Sequence, residues 1–198
     1  MPDSDRAHWN SRYAQTAYDF APVAWLPPLA DQIRPRRAGA RALDLACGGG
    51  RNALFLARLG YAVDAWDISD VALDLLRAEL GRLARAGESL AVEPRHLELE
   101  GAVLPADHYD LLLDAHYLDR AQFAAMEHSL RPGGVLIVHT FLAGSGGPAR
   151  NPAHVLEPGE LPRVFANLVI ETYTEDQTAA EVHLVARRDV AGTTATGS

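Results

Sequence analysis

Asp44-Leu45-Ala46-Cys47-Gly48-Gly49-Gly50 is the stretch that decides the fold. The run Arg41-Ala42-Leu43-Asp44-Leu45-Ala46 is short and apolar and reads as a strand, while Arg51 to Leu59 reads as a helix stopped by Gly60. Three successive glycines between them let the backbone turn sharply and approach a ligand without Cβ hindrance. Strand, tight turn and helix in that order place a ligand at the turn.

Outward from this unit the grammar repeats. Tyr61 to Trp66 is a second strand, and Ser69 is placed to cap a helix whose Leu73, Leu76, Leu80 and Leu83 recur at helical spacing until Gly87. A weaker strand spans about Ala91 to His96. Tyr109-Asp110-Leu111-Leu112-Leu113-Asp114 is a continuous apolar run suited to a strand buried on both faces, hence central. Asp119 and Gln122 stand in capping-box spacing before a helix through Leu130, which Arg131-Pro132-Gly133-Gly134 ends ahead of a strand from Val135 to Phe141. Alternating strands and right-handed crossovers predict an α/β fold, a doubly wound sheet with helices on both faces.

The ends of the chain break the alternation. Residues 5 to 17 read as a polar helix with Trp9 and Tyr13 on one face, and Pro22 to Pro35 holds a short helix after Pro28; together they form an N-terminal cap over residues 1–39. Leu142 to His154 is a Gly- and Pro-rich loop too long for an ordinary connection, of the kind that covers sites. Pro162 fits a short helix from Gly159 to Ala166 if Gly159 is its N-cap. Leu168 to Thr174 and Glu181 to Arg187 are spaced to pair as an antiparallel hairpin. One domain over residues 1–188 is predicted, with a frayed tail at 189–198.

Composition narrows the functions. The 198 residues contain 48% hydrophobic and 22% charged residues, ordinary globular usage, which sets aside disordered and fibrous classes. All 18 basic residues are arginines, so a Walker-type phosphate loop and lysine Schiff-base chemistry are excluded. A net charge of -8 repels polyanions and argues against nucleic acid. Cys47 is the sole cysteine, which removes an intrachain disulfide and multi-cysteine metal cages; it reads as a small filler in the turn. No metal-ligand spacing occurs. Without a signal core or a membrane-length apolar run, the expected location is cytoplasmic and no membrane partner is expected. The oligomeric state is open.

Two carboxylates give the turn its chemistry. Asp67 ends the second strand 17 residues after Gly50, where an acidic side chain in a doubly wound fold accepts the hydroxyls of a ribose. Gly48, Gly50 and Ala53 also satisfy Gly-x-Gly-x-x-Ala, which keeps an NAD(P)-dependent oxidoreductase among the alternatives. Against it stands Asp44, whose carboxylate favours a cationic group over a pyrophosphate. The ammonium and sulfonium of S-adenosylmethionine suit it better.

With these features the sequence resembles the class I S-adenosylmethionine-dependent methyltransferases over about residues 8 to 188. Leu43-Asp44-Leu45-Ala46-Cys47-Gly48-Gly49-Gly50-Arg51-Asn52, Trp9 with Arg12-Tyr13, and Arg131-Pro132-Gly133-Gly134 are similar to the small tellurite-resistance type. The resemblance implies seven strands in order 3-2-1-4-5-7-6, only strand 7 being antiparallel. It implies that Asp44, Gly48 and Gly50 hold the methionine end of the cofactor, with Asp67 on its ribose and Ile68 against adenine, and that Ala46, Arg51 and Asp114 are also cofactor-binding. His96 and Leu97 take the place of the acidic residue and apolar neighbour that usually meet the adenine edge. Ala46 replaces a glycine and narrows the turn. Trp9, Arg12 and Tyr13 close over the methionine end, or pack as a helix face on the sheet edge.

Methyl transfer from a sulfonium is an in-line displacement that needs alignment and exclusion of water. A soft nucleophile such as a thiolate or a selenium or tellurium species needs only a pocket; an alcohol or amine needs a base. His116 and Tyr117, directly after the fourth strand, face the methyl group in this fold, and Arg150 with Asn151 lies in a segment resembling a lid. Each has a plain structural alternative: His116 bonding a loop, Tyr117 packing, Arg150 a solvated loop cation. His139, inside the fifth strand, reads as a satisfied core histidine. The expected partner is a small-molecule acceptor. A non-catalytic cofactor-binding module is the other alternative.

Overall fold

A computed structural model of the chain describes residues 2–15, 17–144 and 154–190. Seven strands form one sheet in the order β3-β2-β1-β4-β5-β7-β6. They are β1 (Arg41–Leu45), β2 (Ala62–Asp67), β3 (Val92–His96), β4 (Tyr109–Ala115), β5 (Leu130–Phe141), β6 (Val169–Asp176) and β7 (Glu181–Arg187). β1 to β5 are mutually parallel where they pair, and β7 runs antiparallel to both β5 and β6. This is the predicted class I methyltransferase topology.

β4 is central, and its middle three residues are uninterrupted leucines. Leu111, Leu112 and Leu113 are fully buried, Leu111 and Leu113 in one core cluster and Leu112 in the other. Each such side chain contributes roughly 1.5–3 kcal/mol relative to exposure. Helices α2 (Arg51–Arg58) and α3 (Asp70–Arg85) supply Leu54, Leu56, Leu73 and Leu76 to the first of these layers. Helices α4 (Phe123–Ser129) and α5 (Glu160–Val164) line the second through Phe123, Met126 and Leu161. Ser69 caps α3 as its type predicts, its hydroxyl accepting from the Ala72 N–H at 3.1 Å.

Several local expectations are revised. Helix α1 spans Pro2–Gln15, a shift towards the N-terminus, and the proline-rich segment holds only a 3-10 turn at Pro27–Leu29. The capping box at Asp119 does not close. Asp119 accepts from the Ala121 N–H, but the Gln122 amide turns inward to the carbonyls of Leu99 and Ala102 at 3.2 Å each. The helix is consequently split into a 3-10 turn, Arg120–Gln122, and the shorter α4. β5 starts at Leu130, before the Pro-Gly-Gly stretch, because the ladder with β4 begins at Tyr109↔Leu130 and shifts register before Leu111↔Val135. α5 begins after Gly159, as Pro162 requires. Most of the loop expected to cover the site, and residues 191–198 of the expected tail, lie outside the described residues.

Candidate functional site

The parallel strands point their C-terminal ends at one edge, and the glycine turn lies there. Ala46 (φ +56), Gly48 (φ +56) and Gly50 (φ +81) all adopt left-handed backbone. Ala46 therefore does more than narrow the turn: it holds a conformation that its Cβ disfavours. The space above the turn is also reserved for glycine. A Cβ on Gly48 would run into the Tyr13 hydroxyl, and one on Gly49 would stand 2.6 Å from the Tyr18 ring.

Asp67 ties this turn to the next loop. Its Oδ2 accepts from the Gly48 N–H and its Oδ1 from the Ser69 N–H, both at 2.7 Å. The Ser69 hydroxyl donates to Asn10 Oδ1 at 2.7 Å, which docks α1 against the start of α3. Burial raises the Asp67 carboxyl above its ordinary value, while these N–H groups and His96 oppose the shift. Each carboxylate oxygen keeps further lone-pair capacity for a hydroxyl donor.

Asp44 and Asp114 stand one residue before the ends of β1 and β4, and both are buried with one oxygen, Oδ2 in each case, lacking a hydrogen-bond partner among the described residues. Burial pushes Asp44 up to about 7; Asp67 adds to the rise, and the Ala53 N–H and Arg51 oppose it. Asp114 is also raised, by burial first, with Asp44 contributing. Two neighbouring acidic groups with unsatisfied buried oxygens form a place for a cation. The same oxygens would repel a pyrophosphate. Ammonium and sulfonium groups match this donor-poor, acceptor-rich cradle, so the residues present fit S-adenosylmethionine.

The remaining expected residues divide. Tyr13 lies over the turn, and burial raises its hydroxyl; Tyr18, which sequence reasoning missed, is pushed up to about 12 by burial. Trp9 is exposed and its indole lies under the Arg12 guanidinium at 5.3 Å, so both stand on the outer side of α1 in this structure. His96 Nε2 is 3.0 Å from the Ile68 carbonyl and 3.4 Å from Asp70, which brings His96 and Ile68 together beyond Asp67. The Leu97 N–H donates to the Asp67 carbonyl at 3.0 Å, extending the β2–β3 ladder, and is engaged there instead of being turned outward. Arg51 opens α2 beside Tyr18. The expected contributions of Arg150 and Asn151 lie outside the described residues.

On the other side of Asp114 the chain again enters left-handed backbone at His116 (φ +66). The Tyr117 N–H donates to Asp114 Oδ1 at 3.3 Å, its ring packs on the second core cluster, and its hydroxyl is buried without a partner among the described residues. His139 corrects its reading as a satisfied core histidine. It is buried in β5, but its Nδ1 has no hydrogen-bond partner among the described residues, and Trp25 stacks on its ring. Trp25 and His183, which join it, were not legible as site residues. Buried Asn52 was missed as well; its carbonyl accepts from the Val23 N–H at 3.1 Å and fixes the segment carrying Trp25. Among the described residues no helix is long and apolar enough to cross a membrane.

The profile of a family described as Tellurite resistance protein TehB matches residues 29–184. A ubiquinone biosynthesis O-methyltransferase of Dinoroseobacter shibae is 30% identical over 107 residues, which is 52% of this chain and 41% of that protein. The chain thus matches less than half the length of this curated relative. Among solved structures, TehB from Haemophilus influenzae superposes with a TM-score of 0.68 at 18% identity, over 93% of this chain and 67% of the other. An S-adenosylmethionine-dependent methyltransferase from Mesorhizobium loti gives a TM-score of 0.63 at 20% identity, over 81% and 96%. Both likenesses concern the fold.

Proposed function

The chain belongs to the TehB family of tellurite resistance proteins, and from that membership and its site we propose that it is an S-adenosylmethionine-dependent methyltransferase acting on a small-molecule acceptor. The observation that carries the reading is the pair of buried, half-unsatisfied carboxylates, Asp44 and Asp114, beside a glycine turn whose other flank is Asp67. S-adenosylmethionine, when bound, supplies an electrophilic methyl carbon on a positively charged sulfur that keeps the electron pair of the broken bond.

The chain's own residues bind, orient and shield. Asp44 and Asp114 take the cationic end, Asp67 accepts from the ribose hydroxyls, and Ile68, held by His96, lies against the adenine. Tyr13 and Tyr18 cover the turn and exclude water, which strengthens the attraction between buried carboxylates and a cation. His116 and Tyr117 flank the approach of the acceptor, with Arg150 and Asn151 contributing from the following loop. The description of the family favours a soft acceptor such as a selenium or tellurium oxyanion-derived species or a thiol. A hydroxyl acceptor has the O-methyltransferase relative in its favour.

Isothermal titration tests the cofactor. S-adenosylmethionine is expected to bind, Asp67→Ala to weaken it about tenfold or more through loss of one or two charge-assisted bonds, and NAD to leave binding undisturbed. Binding of NAD with none of S-adenosylmethionine would reverse the reading in favour of a dinucleotide enzyme. Release of S-adenosylhomocysteine across thiol, selenite, tellurite and hydroxylated aromatic acceptors separates an enzyme from a binding module: cofactor binding without product from any of them favours the module.

A further inference from the structure

A pile of aromatic and imidazole rings stands beyond Asp114, on elements that the glycine turn does not use. His139 on β5 and His183 on β7 are cross-strand partners, with ring centroids 5.8 Å apart. Trp25 faces both, stacked on His139 at 4.5 Å and 27° and tilted against His183 at 5.1 Å. His116 meets His139 edge-on at 5.0 Å and stacks on Phe141 at 4.8 Å. The left-handed backbone that presents His116 is rare for a residue with a side chain and concentrates at ligand clamps.

The polar atoms of this pile are unsatisfied in one particular way. Nδ1 of His139 and Nδ1 of His183 are both buried without a hydrogen-bond partner among the described residues, which is uncommon in folded proteins. His139 Nε2 lies 3.5 Å from the Glu181 carboxylate. That neighbour favours the tautomer protonated on Nε2 and leaves Nδ1 as a bare acceptor. Burial, with His116 and His183 adding, pushes His139 down to about 3, and burial lowers His183, so both rings are neutral at neutral pH. Among the described residues no arginine acts on either imidazole, and Glu181 stands beside His139. An oxyanion therefore gains nothing from the described side chains around these two rings. Nor do these side chains stand in a metal-holding arrangement among the described residues.

Resting on the methyl-donor reading, we propose that Trp25, His139 and His183 form the acceptor subsite, and that it takes a neutral planar aromatic compound bearing a hydroxyl. The aromatic ring joins the stack, and the O–H donates to an imidazole Nδ1. Aromatic faces attract such a ring through offset or edge contacts, and the hydroxyl satisfies an acceptor that is otherwise buried unpaired. Both nitrogens are closed to solvent in this structure, so entry requires the Trp25 ring to move aside. The subsite narrows the acceptor from the soft oxyanion class to a phenolic one.

Catechol is the probe. With S-adenosylhomocysteine saturating, titration of protein labelled with nitrogen-15 in its histidines should move the ring signals of His139 and His183 saturably. His139→Leu should weaken catechol about tenfold while calorimetric S-adenosylhomocysteine binding stays unchanged. Trp25→Leu, on an irregular segment outside the sheet, should weaken catechol similarly and serves if the His139 variant does not fold. Selenite moving these signals in place of catechol, or neither probe moving them while S-adenosylhomocysteine binds, overturns the subsite and leaves the methyl-donor reading standing. Failure of S-adenosylhomocysteine to bind overturns both.

Discussion

Asp44 shows what one buried carboxyl does to ligand binding. Its proton is held up to about pH 7 because burial disfavours the anion, whereas the unfolded chain releases it near the ordinary value of 3.8. Between those values the folded state binds more protons, so Asp44's contribution to stability falls as pH rises from about 4 to 7. A cationic ligand inverts this preference by favouring the anion. Cofactor affinity is expected to rise from about pH 6 to 8, with proton release seen by calorimetry in buffers of different ionisation enthalpy, and Asp44→Asn should lose both. A flat affinity profile in the parent protein would separate Asp44 from the cation. Asp44 and Asp67 were legible in the sequence because one stands four residues before the first glycine and the other ends the second strand 17 residues after Gly50. His139 was not, since whether a strand histidine is satisfied depends on partners from distant elements, here Trp25, Glu181 and His183.

Elements were legible where local chemistry decides them. Ser69 combines an extended backbone, φ -87 and ψ 111, with a hydroxyl on the Ala72 N–H, and the leucines behind it face the core. Ser69→Ala is expected to destabilise the fold by about 1 kcal/mol, typical of a lost N-cap, measured as a shift in denaturant midpoint at unchanged slope. An unchanged midpoint would mean that the Asp67 and Asn10 contacts hold this helix start without the hydroxyl. Legibility failed where long-range bonds compete. Asp119 and Gln122 have the spacing of a capping box, yet Gln122 is drawn across 20 residues and more to carbonyls of the loop before β4. The β5–β7 register, which sets His139 opposite His183, is a pairing between strands that the chain joins only through β6.

At the scale of the whole molecule the sheet and its N-terminal cover differ in what they contribute. Buried residues of β1, β4 and β5 contribute to both cores, whereas the described side chains of α1 are exposed except for the half-buried Asn10 and Tyr13. Deleting residues 2–15 is expected to leave a single cooperative unfolding transition, since little apolar area is lost. The same deletion should weaken S-adenosylmethionine about tenfold by uncovering the turn beneath Tyr13. A deletion that unfolds the chain would place α1 in the core energetics; one that leaves affinity intact would remove Tyr13 from the cofactor's cover. The doubly wound sheet followed from the alternation of strand and helix and the order of its seven strands from the family resemblance, while the draping of Trp25 over β5 and β7 followed from neither. Asp67 carries one more implication through its bonds to both the Gly48 and Ser69 amides. One carboxylate clamps two loops into a single rigid bracket before any nucleoside arrives. The conformational freedom ordinarily surrendered at capture has already been lost in folding, which favours tight recognition by a small contact area.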